Sequence, residues 1–319
     1  MRKIIAIGES VVDTVFSGGK PLAAFIGGRI ANTAASLGAM GLPVSMVSEC
    51  GTDSVGQMVV DFLSEHRVDV KSIDRFTEGS TAFSAIFKTS GEADKIVNYG
   101  SYPNDRFDVI WPRIDEGDIV VFGSLYAIDL PQRERLFELV SYASERKAII
   151  IYLPGFQHGI NFRITRVMPN ILENLEISDI VIAHNRDIND IFPGESGEEA
   201  FRNHIEFYCS NYMHINPDLS LSRFSTGKRH DVANSGGGSA NLLGWQAGFT
   251  AGIVSELCRL GVDRDELKTL DDEAWQGITA AAFKCAAVCA GQPDNCVTAD
   301  FAAECRRQLA QAEAERQKQ

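Results

Sequence analysis

Residues 27–38 read GGRIANTAASLG, a glycine pair followed directly by an apolar segment that lacks proline. The pattern predicts a turn at Gly27 and Gly28 and a helix over Ala31–Met40. Before it, Lys3–Glu9 reads KIIAIGE, which predicts a buried strand that runs into glycine. A strand, a glycine turn and a helix in this order are typical of an α/β protein.

Short apolar or β-branched runs alternate with helical patterns beyond this point. The predicted strands are Val44–Ser48, Asp118–Phe122, Ala148–Tyr152 and Asp179–Ala183, and the predicted helices are Gln57–His66, Arg133–Glu145 and Arg163–Leu175. This alternation implies βαβ crossovers and a mostly parallel sheet that is covered on both faces. Because such sheets bind ligands at the carboxyl ends of their strands, we expect Gly8–Asp13, Gly123–Ser124 and Pro154–Gly155 on one rim.

Two segments break the alternation of strands and helices. Val11–Ile26 and Ser80–Tyr99 alternate apolar with polar residues, as the strands of a half-exposed sheet do. The chain contains no internal repeat, and we interpret residues 1–319 as a single α/β domain with these two segments inserted.

Composition excludes several classes of protein. The chain carries 43 acidic and 30 basic residues, a formal charge of −13, which argues against binding to nucleic acid or to an acidic membrane surface. The longest apolar stretches are strand-length or interrupted by polar residues, so no segment predicts a membrane span. The N-terminal segment enters a strand without a basic-then-apolar export pattern, and we expect a cytoplasmic protein.

The seven cysteines form no pattern of a metal site. They include no C-x-x-C pair and have no histidine at metal-ligand spacing, so we expect no metal site built on them. Cys285 and Cys289 lie four residues apart in an alanine-rich helical pattern, which predicts packing in the core. Free cysteines agree with a reducing compartment.

A second glycine-rich segment, Asn234–Ser239 (NSGGGS), precedes the apolar and proline-free stretch Ala240–Leu257. Backbone N–H groups of such a loop, where it opens onto a helix, can converge on an anion. Taken alone, a glycine triplet also fits a flexible connector.

Several of these segments fall in register with one known family. Gly8-Glu9 with Asp13, then GGRIANTA from Gly27, then GTDSVG over Gly51–Gly56 occur in this order. The chain thereby resembles the pfkB (ribokinase-like) family of carbohydrate kinases, which shows G-E/S-x-x-x-D, G-G-x-x-x-N-x-A and G-x-D-x-x-G. The resemblance covers nearly the whole chain. It implies a three-layer α/β/α fold with a mostly parallel sheet, and a small β lid that often also forms a homodimer surface.

The resemblance implies sugar contacts at Asp13, Gly27, Gly28 and Asn32. These residue types suit a polyol, because Asp13 can accept from two hydroxyls and Asn32 offers both a donor and an acceptor. The glycine pair removes side chains from the approach. From the residues alone, Asp13 also fits a turn, Asn32 a helix start and the glycines a plain turn.

The segment that the resemblance assigns to phosphoryl transfer departs from the family pattern. The family's D-T-x-G-A-G-D falls on Ala233–Ser239, where Gly236, Gly237 and Gly238 can keep the anion hole and Ser239 replaces the general base. A serine hydroxyl cannot take a proton from a sugar hydroxyl of similar pKa, and the loss of a positioned base costs about 10² to 10⁴ in rate. Another register, which places Trp245–Phe249 on the family's aromatic-x-Ala-Gly-Phe, puts Leu243 at the base position. Neither register restores a carboxylate.

Other departures lie on the nucleotide side. The family's D-P-N-x-R falls on Leu153–Gln157 and keeps only Pro154. Its N-x-x-E, which is associated with the metal and the phosphates, keeps Asn185 but has Ile188 in place of the acid. Asp187 or Asp190 could substitute for it. ATP and Mg²⁺ are therefore cofactors implied by the resemblance alone.

Two hypotheses follow for the activity. The chain is either an ATP-dependent kinase of a sugar or nucleoside with a displaced base, or a pseudokinase that kept the sugar pocket and abandoned phosphoryl transfer. The combined departures at Ser239, Leu153, Gly155, Gln157 and Ile188 favour the pseudokinase. The identity of the sugar or nucleoside stays open.

Overall fold

A ten-stranded sheet forms the centre of the computed structural model, which describes residues 2–88, 95–156, 163–234 and 241–318. Its strands are β1 (Ile4–Ile7), β4 (Val44–Gly51), β5 (Val68–Asp69), β6 (Ile73–Phe76), β9 (Ile119–Gly123), β10 (Ile149–Leu153), β11 (Ile180–His184), β12 (Tyr212–Ile215), β13 (Leu221–Ser225) and β14 (Lys228–Val232). Their order is β14-β13-β12-β11-β10-β9-β1-β4-β5, and β6 pairs with β4. Only the β12–β13 and β13–β14 pairs are antiparallel, so the prediction of a mostly parallel sheet is confirmed.

Helices cover both faces of this sheet. They are α1 (Arg29–Ala39), α2 (Ser54–Glu65), α3 (Arg133–Glu145), α4 (Ile164–Ile177), α5 (Asn185–Ile191), α6 (Gly197–Ala200), α7 (Leu242–Leu260), α8 (Arg264–Leu267), α9 (Asp272–Ala290) and α10 (Ala299–Arg316). Successive side chains of a strand point to opposite faces. Ile4 and Ala6 of β1 therefore join the core formed with α1, α7 and α9, whereas Ile5 and Ile7 join the core formed with α3 and α4. The result is the predicted three-layer α/β/α arrangement.

The two segments predicted to break the alternation form a second, four-stranded sheet. Its strands are β2 (Val11–Ser17), β3 (Lys20–Gly27), β7 (Ser80–Lys88) and β8 (Lys95–Ser101), in the order β3-β2-β7-β8. Strand β2 follows β1 after a short turn, so this sheet stands over the carboxyl end of β1. We refer to these four strands as the lid sheet.

The predicted elements differ from the observed ones mainly at their ends. Helix α1 begins at Arg29, two residues before the predicted start, because Gly28 itself provides the N-cap position. The C-terminal segment from Glu304 continues α10, in which Leu309 is buried. Cys285 and Cys289 are buried in α9, as expected. Within the described ranges, no helix is long and apolar enough to cross a membrane.

Candidate functional site

A cleft of about 390 Å³ opens between the lid sheet and the carboxyl ends of the central strands. Its walls come from the segment after β1, from β7, from the residues after β9 and β10, and from the first turns of α1, α5 and α7. The volume lies within the range of small-molecule sites. Of the expected rim, Glu9, Asp13 and Ser124 line this cleft beneath the lid sheet, whereas Gly123, Pro154 and Gly155 do not line it.

Asp13 lies on the lid side of this cleft with only 7% of its surface exposed. Burial raises the pKa of Asp13 to about 6; the negative charge of Glu9 adds to the rise, and a hydrogen bond with Ser84 opposes it. Gly27 packs directly against this carboxylate, because a Cβ at Gly27 would lie 2.1 Å from Asp13 Oδ2. Only a residue without a side chain allows Asp13 to occupy this position.

Glu9 contributes a second carboxyl group to the same end of the cleft. Burial raises its pKa, and hydrogen bonds with its own backbone, with Ser124 and with the backbone of Tyr126, together with the charge of Arg29, oppose the rise. Its Oε2 atom is buried and has no hydrogen-bond partner among the described residues. A buried oxygen without a partner calls for a ligand or a water molecule.

Gly28 and Asn32 lie at the same end of the cleft as Glu9. Gly28 has φ +95°, and a Cβ there would lie 2.4 Å from the carbonyl oxygen of Glu9, so the position requires glycine. Asn32, in the first turn of α1, is fully buried, and neither Oδ1 nor Nδ2 has a partner within the described part of the chain. Asp13 and Gly28 line the cleft, whereas Gly27 and Asn32 lie next to these lining residues.

Asp187, predicted on the nucleotide and metal side, also lines the cleft, but its carboxylate is already engaged. It accepts hydrogen bonds from Arg29 Nη1 at 3.1 Å and from the backbone N–H of His184 at 3.2 Å. Arg29 in turn donates from Nη2 to the Pro154 carbonyl at 3.0 Å. This network joins the starts of α1 and α5 to the segment after β10.

The other nucleotide-side candidates are placed differently. Asn185 is the first residue of α5 and is half-buried, and it does not line the cleft. Ile188, at the position of the family's acid, is 1% exposed and belongs to the core that packs against α3 and α4. The side chain is apolar because this position faces the core. Asp190 does line the cleft.

Asp187 and Asp190 are the carboxylates of the cleft on the predicted nucleotide and metal side. In the ranges that the structure covers, no group of three His, Cys, Asp or Glu side chains is arranged to hold a metal. The acid expected for this purpose is replaced by the buried Ile188, and the neighbouring Asp187 is paired with Arg29.

The first turn of α7 brings apolar side chains to the cleft. Asn241 caps the helix through Oδ1, which accepts from the Gly244 N–H at 3.1 Å, and Leu242 and Leu243 line the cleft. The base position of the second register thus carries an apolar side chain at the cleft wall. The first register falls on Gly236, Gly237, Gly238 and Ser239, which lie outside the described residues, as does Gln157.

Several polar residues of the cleft had no predicted role, among them Glu9, Ser84 and His184. Glu9 and His184 each stand at or just beyond the end of a central strand, which is the sequence signal that would have found them. Ser84 lies on β7, and only the pairing of the lid strands places it beside Asp13.

Comparison with known proteins agrees with this architecture. The model of the pfkB family of carbohydrate kinases matches residues 2–202. A putative sugar kinase of Pyrococcus horikoshii is 24% identical over 170 residues, which is 51% of this chain and 53% of that protein, so the match spans about half the length of this curated relative.

Solved structures match over nearly the whole chain. A sugar kinase of Pyrococcus horikoshii has a TM-score of 0.75 at 17% identity and covers 96% of this chain and 99% of its own. Aminoimidazole riboside kinase of Salmonella enterica has a TM-score of 0.79 at 14% identity and covers 97% of this chain and 100% of its own. A double mutant of fructokinase from Vibrio cholerae, with fructose, ADP and potassium ion bound, has a TM-score of 0.79 at 16% identity and covers 95% of this chain and 98% of its own. The fold is ribokinase-like, and the family match over residues 2–202 establishes that this chain belongs to the pfkB family of carbohydrate kinases.

Proposed function

We propose that this chain binds a sugar or nucleoside in the cleft beside Asp13 and that it transfers phosphoryl groups poorly or not at all. The observation that carries the proposal is the contrast between the two ends of the cleft. Buried acceptors without partners stand at the Glu9 end, whereas an apolar side chain, Leu243, stands where the second register puts the base.

The end of the cleft that Asp13 and Glu9 line supports binding of a polyol. Asp13 and Glu9 supply carboxylate oxygens that can accept bonds from ligand hydroxyls, and the buried amide of Asn32 has unused donors and an acceptor close by. Related structures were solved with fructose or with aminoimidazole riboside bound, so a sugar or nucleoside is the ligand class that we propose here.

The other end supports weak or absent transfer. A kinase must deprotonate the attacking hydroxyl and stabilise charge on the transferring phosphoryl group. In this chain Ile188 is a core residue, and Asp187 is paired with Arg29. ATP and Mg²⁺, which the family uses, are therefore cofactors whose role in this chain we regard as reduced or lost.

An active kinase with a displaced base is the second candidate. It is favoured by Asp190, a carboxylate that lines the same cleft as Asp13. If Asp190 takes the proton, Asp190→Asn will abolish transfer but will leave sugar binding intact.

Calorimetry distinguishes the two candidates. The protein is titrated with fructose, ribose and adenosine, each with and without ATP and Mg²⁺, and phosphoryl transfer is followed in parallel. We expect one of the neutral ligands to bind without turnover. Turnover together with tight binding of ATP and Mg²⁺ would contradict the pseudokinase, and failure of all neutral ligands to bind would contradict a sugar site. We further propose a cytoplasmic protein that forms a homodimer through the lid sheet.

A further inference from the structure

His184 is a residue of the cleft to which the motifs assign no role. It is the last residue of β11 and the N-cap of α5, it is 8% exposed, and it lines the cleft together with Asp187 and Leu243. Its position at the carboxyl end of a central strand is where ligand-binding residues of such sheets occur.

The hydrogen bonds of His184 define which ring nitrogen carries the proton. Nδ1 accepts from the backbone N–H of Arg186 at 3.1 Å, as part of the cap of α5. Burial lowers the pKa of His184, so the neutral ring prevails. In a neutral imidazole one nitrogen accepts and the other donates, so the proton is on Nε2. His184 therefore offers an N–H donor and cannot act as a base through Nε2.

The surroundings of His184 hold further unused donors. Asp187 is occupied by Arg29 and by the backbone of His184 itself. Arg29 has five N–H groups, and within the described residues it uses Nη1 for Asp187 and Nη2 for Pro154. The cleft thus has carboxylate acceptors at the Asp13 end, whereas at the His184 end N–H donors lie beside the engaged Asp187 and the carboxylate of Asp190.

We propose that His184 binds a phosphoryl oxygen of the ligand through its Nε2–H, with the remaining N–H groups of Arg29 beside it. The inference rests on the proposed sugar site, which supplies the other end of the same ligand. Ligand hydroxyls can donate to Asp13 and Glu9, whereas a phosphoryl oxygen is purely an acceptor and suits a donor. A sugar phosphate and a nucleotide both provide this chemistry.

Two substitutions separate ligand binding from helix capping. His184→Ser keeps an acceptor for the Arg186 N–H but removes the ring donor, whereas His184→Ala removes both. His66→Ser, at the C-terminal end of α2 and outside the cleft, is the matched control. We expect His184→Ser and His184→Ala to weaken binding of the phosphorylated ligand equally, by about tenfold, as for the loss of a hydrogen bond to a charged group. Only His184→Ala should also lower the melting temperature. If His184→Ser does not fold, His184→Thr replaces it.

Calorimetry with fructose 6-phosphate, ribose 5-phosphate and AMP tests sugar and nucleoside phosphates, and ATP with and without Mg²⁺ tests nucleotide triphosphates. Fructose, ribose and adenosine are the unphosphorylated partners, whose binding should change by less than about twofold in His184→Ser. An affinity of His184→Ser for the phosphorylated ligand equal to that of the wild type would overturn the inference, as would a wild type that binds neutral sugars but none of the phosphorylated ones. A wild type that binds neither class contradicts the sugar site itself.

Discussion

The protonation of a single residue, Asp13, is expected to make both sugar binding and the stability of the chain depend on pH. Its pKa in the folded chain is about 6, above the ordinary value of 3.8, because the carboxyl is buried. The folded state therefore holds this proton more tightly than the unfolded state does. The contribution of Asp13 to stability is fully present below about pH 4 and is lost as the pH rises through about 6.

We expect the affinity for a neutral sugar to fall as the pH drops below about 6, because protonated Asp13 loses acceptor capacity. Calorimetric titrations between about pH 5 and 8 measure this fall. Asp13→Asn should bind weakly at every pH and should be more stable than the wild type at about pH 8, by up to about 3 kcal/mol. An affinity of the wild type that does not change across this range would contradict the assignment.

Substitution of Gly27 tests how closely the glycine pair packs against Asp13. Gly27→Ala places a Cβ 2.1 Å from Asp13 Oδ2, so the carboxylate must move. We expect a loss of sugar affinity of more than about tenfold and a stability loss of about 1–3 kcal/mol. Gly277→Ala in α9, where no atom lies within 4 Å of the added Cβ, is the control and should stabilise the chain by about 0.5–1 kcal/mol. Sugar titration and denaturant unfolding of both variants test the pair.

At the scale of elements, the first turn of α7 is one position at which a general base for phosphoryl transfer could be introduced. The helix begins at Leu242 after the Asn241 cap, and Leu242 and Leu243 line the cleft. A carboxylate introduced here reaches the cleft, but it does not restore the acid that the buried Ile188 replaces on α5. Helices α5 and α7 would both have to change for efficient transfer.

Leu243→Asp and Ser239→Asp should therefore each leave phosphoryl transfer within about tenfold of the wild type, although a positioned base is worth about 10² to 10⁴. A coupled assay with ATP, Mg²⁺ and the sugar that binds best measures the rates. Leu242→Asp, one residue away on the same turn, is the control. A rate increase of a hundredfold or more in Leu243→Asp, but not in Leu242→Asp, would show that the nucleotide side still supports phosphoryl transfer.

The helical and strand elements were largely predictable, since their signals are local. Helix α3 coincides with its prediction, Arg133–Glu145, and β10 is displaced from its prediction by one residue at each end. Helix α5 was not predicted, because it is short and its start depends on a cap made by His184 and Asp187. A capping histidine gives no usual N-cap signal in sequence.

At the scale of the whole molecule, the lid sheet leaves large apolar side chains exposed. Leu22, Phe87 and Tyr99 are 69%, 37% and 58% exposed, and Phe87 stacks on Phe16 with ring centroids 5.1 Å apart. The sheet also ends in two strands, β3 and β8, each with one edge that pairs with no strand of the described residues. Exposed apolar residues beside open strand edges are typical of an interface between copies.

We expect the chain to sediment as a dimer, and Leu22→Glu to shift it to a monomer, because a charge on this face opposes burial. Ile110→Glu, a similarly exposed position outside the lid sheet, is the control and should remain dimeric. Sedimentation velocity over a range of protein concentrations reads out the state. A dimer that survives Leu22→Glu and dissociates in Ile110→Glu would place the interface elsewhere.

The sequence by itself determined the α/β class, the family resemblance and the polyol candidates Asp13, Gly27, Gly28 and Asn32, because strand and helix periodicity and glycine spacing are local properties. The tertiary structure alone decided the burial and the hydrogen bonding of the site residues. The buried carboxyl of Asp13, the engagement of Asp187 by Arg29, the core position of Ile188 and the burial of His184 all depend on distant segments. The physical reason is that burial and hydrogen bonding, which set charge and protonation, arise only when these strand ends meet.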